Sequence, residues 1–95
     1  MESSPAIIVH VPGPLREYCG GASRLQLAAG TVHDLLIEME RRHPALYCNV
    51  CDETGKVRRH LNVFVNSDHM RDLNGIATGL RTGDVVTFLP AVSGG

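Results

Sequence analysis

The sequence predicts an α+β domain in which one main helix packs across a mixed sheet of four to five strands. Three observations carry that expectation. Apolar, β-branched runs near residues 6–11, 61–66 and 85–89 have the composition of strands. Val32, Leu35, Leu36 and Met39 recur at i, i+3, i+4 and i+7, the stripe of an amphipathic helix. Turn signals rich in glycine, proline, asparagine and aspartate separate these segments.

In chain order, Ala6-Ile7-Ile8-Val9-His10-Val11 forms the first strand and Pro12-Gly13-Pro14 ends it. Gly20-Gly21 marks a turn, and Arg24-Leu25-Gln26-Leu27-Ala28 alternates as a second strand, giving a hairpin-like pair with a long irregular loop. Thr31, followed three residues later by Asp34, resembles a capping box and opens the helix. Glu38 and Arg42 make a favourable i, i+4 pair on it, and Pro44 disfavours helix at His43, so the helix ends there. Residues 48–59 are polar, contain Gly55 and read as a loop. Leu61-Asn62-Val63-Phe64-Val65-Asn66 alternates as a strand, Asn66-Ser67-Asp68 turns, and residues 69–73 suit a short edge strand. Ile76 and Leu80 are expected to be apolar anchors before Thr82-Gly83-Asp84 turns into the last strand. This order is that of a β-grasp arrangement, with the first and last strands side by side and the C-terminal tail leaving the middle of the sheet.

Ninety-five residues bound a single domain, 1–95, with a modest core. Nine Lys plus Arg against ten Asp plus Glu give no basic excess for nucleic acid. The only apolar run near the N-terminus is too short for a signal peptide or membrane span, so no membrane partner is expected. Three cysteines, an odd number, argue against a disulfide framework and for a cytoplasmic location.

Cys48 and Cys51 form a CxxC flanked by His43 and His60, from which a zinc site can be drawn. A single CxxC without a second ligand pair is better read as ordinary reduced thiols, and no metal is assigned. The basic run Lys56 to His60 reads as a solvated loop face. Gly20-Gly21 lacks the Lys-Ser/Thr ending of a phosphate loop. No catalytic pair can be assigned from spacing.

The chain ends at Gly94-Gly95, just past the last predicted strand. At roughly 7% glycine usage, such an ending arises by chance in about one chain in two hundred. A stretch without side chains suits threading into a narrow active site. We therefore expect residues 91–95 to form a flexible tail; if its terminal carboxylate is the reactive group, everything upstream is a handle that presents it, and no processing is needed to expose it.

The stretch from Gly83-Asp84 through Pro90-Ala91-Val92 to Gly94-Gly95 resembles the C-terminus of ubiquitin-like sulfur carriers of the MoaD/ThiS family. Arg59-His60-Leu61-Asn62-Val63-Phe64-Val65-Asn66 and Gly75-Ile76-Ala77-Thr78 look like the branch that supplies sulfur for cysteine biosynthesis. The resemblance implies a carrier with no catalytic side chain and no bound cofactor. An activating enzyme of the ubiquitin-activating type would use ATP to adenylate Gly95. A sulfur donor would convert the adenylate to a thiocarboxylate, with Ser93 and Gly94 threading the tail. The implied acceptor is a cysteine-synthase-like PLP enzyme. The alternatives are the small subunit of molybdopterin synthase, which would meet that enzyme's large subunit, and a protein modifier joined to lysines.

Strand alternation locates a docking face. Leu61, Val63, Val65, Val86, Phe88, Ile7, Val9 and Val11 should point into the core. Ile8, His10, Asn62, Phe64, Asn66, Val85, Thr87 and Leu89 then point outward. Phe64, Leu89 and Ile8, with Val85, are expected to form an apolar partner-binding patch of the kind related carriers use.

Overall fold

The computed structural model describes residues 4–90. Five strands form one sheet: β1 (Ala6–His10), β2 (Arg24–Ala28), β3 (Leu61–Val65), β4 (Asp68–His69) and β5 (Val85–Pro90). Their order across the sheet is β2-β1-β5-β3-β4. β5 therefore occupies the centre, parallel to β1 and antiparallel to β3, while β1–β2 and β3–β4 are antiparallel. The expected mixed sheet and central last strand are both present.

The main helix, α1 (Val32–Arg42), begins where its cap dictates. Thr31 is extended, and its Oγ1 accepts a hydrogen bond from the Asp34 N–H at 3.0 Å. Glu38 accepts from both Arg41 and Arg42, so the expected pair is a three-membered cluster. Val32, Leu35, Leu36 and Met39 are buried, as their spacing requires. They close over Ile7, Val9, Val63, Val86 and Phe88 from the inner face of the sheet, forming one core.

Four local expectations need correction. Pro44 does end α1, but it also opens a second helix, α2 (Pro44–Val50), because proline's fixed φ and missing N–H suit a first helical position. Cys48 thus lies on a helix, and Leu46 and Val50 reach the core. The segment between β1 and β2 contains a 3₁₀ helix, Gly13–Cys19, ended by Gly20 at φ 72°. The edge strand is only two residues long, because a 3₁₀ turn, Met70–Asp72, follows at once. Leu80 is buried, but Ile76 is 45% exposed and anchors nothing.

Candidate functional site

The outer face of the sheet is where the register gathers the predicted site residues. Ile8 lies opposite Gln26 on one side and Val85 on the other. The next row reads Arg24, His10, Thr87, Phe64 and His69 across all five strands. Leu89 pairs with Asn62 at the end of the sheet where β5 finishes. The inward set is buried throughout, so the alternation expected from the sequence holds in β1, β3 and β5.

The face is less apolar than expected. Ile8 and Val85 are adjacent and half-buried, and Leu89 is 43% exposed. The His10–Thr87 row separates Ile8 from Leu89, and Phe64 sits beside Thr87. Thus Phe64, Leu89 and Ile8 share a face but form a mixed surface, apolar at intervals and polar between.

Phe64 is held in place by its neighbours. Its ring meets the His69 ring edge-on, with centroids 5.2 Å apart. His69 Nδ1 accepts from the Arg71 N–H at 3.1 Å, so its Nε2–H is the donor to Asn62 Oδ1, also at 3.1 Å. At the far end of the sheet, Asn66 adopts φ 57°, a left-handed conformation that asparagine tolerates. Its Oδ1 accepts from the Val85 N–H, its Nδ2 donates to Asp84 Oδ1, and its N–H donates to the Val85 carbonyl at 2.7 Å. Asp84 Oδ2 in turn accepts from the Arg81 N–H. This clamp fixes where β5 begins, and therefore where it ends. Sequence reasoning had Asn66 only as an outward residue at a turn.

The CxxC falls at the end of α2. Cys48 is exposed and Cys51 is buried. Burial pushes the Cys51 thiol up to about 11, partly offset by a hydrogen bond with Tyr47. A thiol raised this far is a poor nucleophile and a poor metal ligand at neutral pH. Among the described residues, no group of three or more His, Cys, Asp or Glu side chains is placed to hold a metal ion. No helix among them is long and apolar enough to cross a membrane.

Ser93, Gly94 and Gly95, with the rest of the expected 91–95 tail, lie outside the described residues. The last described residue is Pro90, at the end of the central strand.

Comparison with known proteins matches residues 9–95 to the ThiS family. The sulfur carrier protein CysO of Mycobacterium tuberculosis is 32% identical over 91 residues, covering 94% of this chain and 98% of the relative. A chain in the crystal structure of the BexX/CysO complex of Amycolatopsis orientalis superposes with a TM-score of 0.84 at 33% identity, covering 95% of this chain and 100% of that one. Small archaeal modifier protein 3 of Haloferax volcanii is 37% identical over 65 residues, covering 68% of this chain and 70% of the relative. The shared architecture is the ubiquitin-like β-grasp.

Proposed function

The chain belongs to the ThiS family, and from that premise we propose that it is a sulfur carrier whose Gly95 carboxylate is adenylated, converted to a thiocarboxylate and then spent in a biosynthetic sulfur transfer, most directly to cysteine. The observation that carries this reading is the family match itself, which runs through residue 95 and so includes the Gly94-Gly95 ending.

The chemistry follows from the carboxylate. It is a poor electrophile until an activating enzyme joins it to the α-phosphate of ATP, releasing pyrophosphate. A sulfur donor then attacks the acyl carbon, AMP leaves, and the product is a soft nucleophile that stays ionised near neutral pH. The carrier contributes no catalytic side chain and binds no cofactor; ATP belongs to the activating enzyme. Its own part is mechanical. A central strand hydrogen-bonded on both edges holds the base of the tail rigidly. Gly94 and Ser93 then carry the terminus into an active site too narrow for larger side chains.

Two enzymes must recognise the same small surface: the activating enzyme, and an acceptor such as a cysteine-synthase-like PLP enzyme. Phe64, Leu89 and Ile8 supply its apolar points. The Amycolatopsis neighbour was solved in complex with BexX, which supports a carrier that works by docking. The cytoplasm, where ATP and reduced sulfur donors meet, is the fitting compartment. The archaeal modifier relative favours a second reading, attachment of Gly95 to lysines of other proteins.

Intact mass spectrometry after incubation with ATP, a sulfide source and a cognate activating enzyme tests the proposal. We expect a gain of one oxygen-to-sulfur exchange, mapped to Gly95 and abolished by deleting Gly94-Gly95. An isopeptide ladder without any thiocarboxylate would establish the modifier reading instead.

A further inference from the structure

At the end of the sheet where β5 finishes, a cleft of about 330 Å³ opens between β1, β2 and the 3₁₀ helix Gly13–Cys19. His10, Arg16, Arg24, Thr87 and Leu89 line it, and no carboxylate among the described residues does. Arg16 is oriented rather than loose: its Nε donates to the Val11 carbonyl at 3.0 Å, which leaves the terminal guanidinium N–H groups for a ligand. Arg24 stands opposite His10 in the β1–β2 register, on the same face. The ion pairs among the described residues join Glu38 to Arg41 and Arg42 on α1, so neither cleft arginine has an acidic partner there. Glu17, next to Arg16 in sequence, is exposed and does not line the cleft.

We propose that this cleft is a receptor for a carboxylate side chain on the activating enzyme that receives the tail, with Arg16 and Arg24 as the paired cations and Leu89 as the apolar wall. The inference rests on the carrier reading above and adds its partner chemistry. Arginine forks match carboxylates in a bidentate geometry. In a protein with a net charge of −1 overall, a local pair of arginines without an acidic partner among the described residues gives direction to an otherwise weak field. The position gives that direction a use. Leu89 is one residue from the end of β5, so a partner that seats an acidic side chain here has already aligned the strand that leads to Gly95.

The test measures thiocarboxylate formation by the activating enzyme with Arg16→Glu, Arg24→Glu and Lys56→Glu. The last makes the same charge change at an exposed lysine that does not line the cleft. We expect KM for the carrier to rise about tenfold in the first two with kcat unchanged, as loss of a steering charge does. We expect Lys56→Glu to match wild type. The wild-type KM should rise toward that of the variants near about 1 M salt, where charges are screened within about 3 Å. Unchanged KM values in both cleft variants overturn the proposal. Arg24→Glu guards against a folding artefact, since Arg24 makes no side-chain hydrogen bond among the described residues.

If wild type is not activated at all, the carrier reading fails, and the cleft is judged separately by amide NMR with a hexaglutamate peptide. Salt-sensitive shifts at His10, Arg16 and Arg24 support an acidic ligand; no shifts, or shifts centred elsewhere, overturn it. Movement of the same amides on deleting Gly94-Gly95 would assign the cleft to the chain's own carboxylate and also overturn it.

Discussion

Cys48 and Cys51 stand three residues apart and face different chemistry. Cys48 is exposed on α2, whereas Cys51 is buried with its thiol raised to about 11 by desolvation. Relative to an ordinary thiol at 9.0, that leaves on the order of a hundredfold less thiolate at neutral pH. Iodoacetamide at neutral pH should therefore alkylate Cys48 and spare Cys51 in the folded protein, and Cys48→Ser should silence that signal. Peptide mapping that finds both thiols labelled at one rate would show that Cys51 is not enclosed. Two carboxylates supply a pH dependence with a definite sign. Asp52 Oδ1 accepts from the Thr54 hydroxyl and from the N–H groups of Thr54 and Lys56, and these bonds, that of the hydroxyl foremost, lower its pKa. Glu38 is lowered by its hydrogen bond with Arg42 and by the charge of Arg41. In each case the unfolded carboxyl takes up its proton at a higher pH than the folded one. Their stabilisation is thus complete above the ordinary carboxylate range and is lost as pH falls through the lowered folded values. Chemical denaturation between neutral pH and about pH 3 should show a shallower acid loss in the double variant Asp52→Asn, Glu38→Gln. The Glu38 side chain is 16% exposed and Asp52 is half-buried, so water still screens both and the difference is small; an unchanged acid slope would remove them as contributors.

At the scale of elements, α1 was legible because three independent signals coincide: the cap at Thr31, the apolar stripe and the stop at Pro44. The cap bond is intact, so Thr31→Ala should cost about 1 kcal/mol. For a domain of this size that corresponds to a fall in Tm of about 4–8 °C. A smaller change by calorimetry would mean that the neighbouring backbone bonds, from Val32 N–H to the Thr78 carbonyl and from Leu80 N–H to the Gly30 carbonyl, hold the helix start without it. What was not legible has a common cause. α2 has only seven residues, too few for a periodic stripe, and its proline reads equally as a stop for α1 and a start for α2. The 3₁₀ segments at Gly13–Cys19 and Met70–Asp72 bury no residue, so no hydrophobic pattern announces them. The Asn66 clamp depends on the backbone of Val85 and the carboxylate of Asp84, 19 and 18 residues away, distances over which sequence adjacency says nothing.

At the scale of the whole molecule, one parity organises both stability and recognition. Alternation told which side chains of β1, β3 and β5 enter the core, and those positions are buried. It also named the outer set, but not its character, because the polar row through His10 and Thr87 arises only when separate strands align. Nor could it place the cleft, whose arginines come from a 3₁₀ helix and an edge strand. Phe88 and Leu89 put the parity to a direct test, since they are chain neighbours on opposite faces. Phe88 is 1% exposed and among the largest fully buried side chains; Phe88→Ala should cost about 3–5 kcal/mol. In a domain holding about 5–15 kcal/mol in total, that leaves a chain near the edge of folding at physiological temperature. Leu89→Asp alters an outer-face side chain that is 43% exposed and should unfold nothing, changing stability by no more than about 1 kcal/mol. Yet it sets a negative charge where a tail-receiving enzyme is proposed to place both an apolar contact and a carboxylate, so thiocarboxylate formation and delivery should fail. The decisive comparison is urea unfolding beside thiocarboxylate yield on the same two variants. A Leu89→Asp protein that folds like wild type and still carries sulfur at the normal rate would separate the outer face from recognition, whatever becomes of Phe88→Ala.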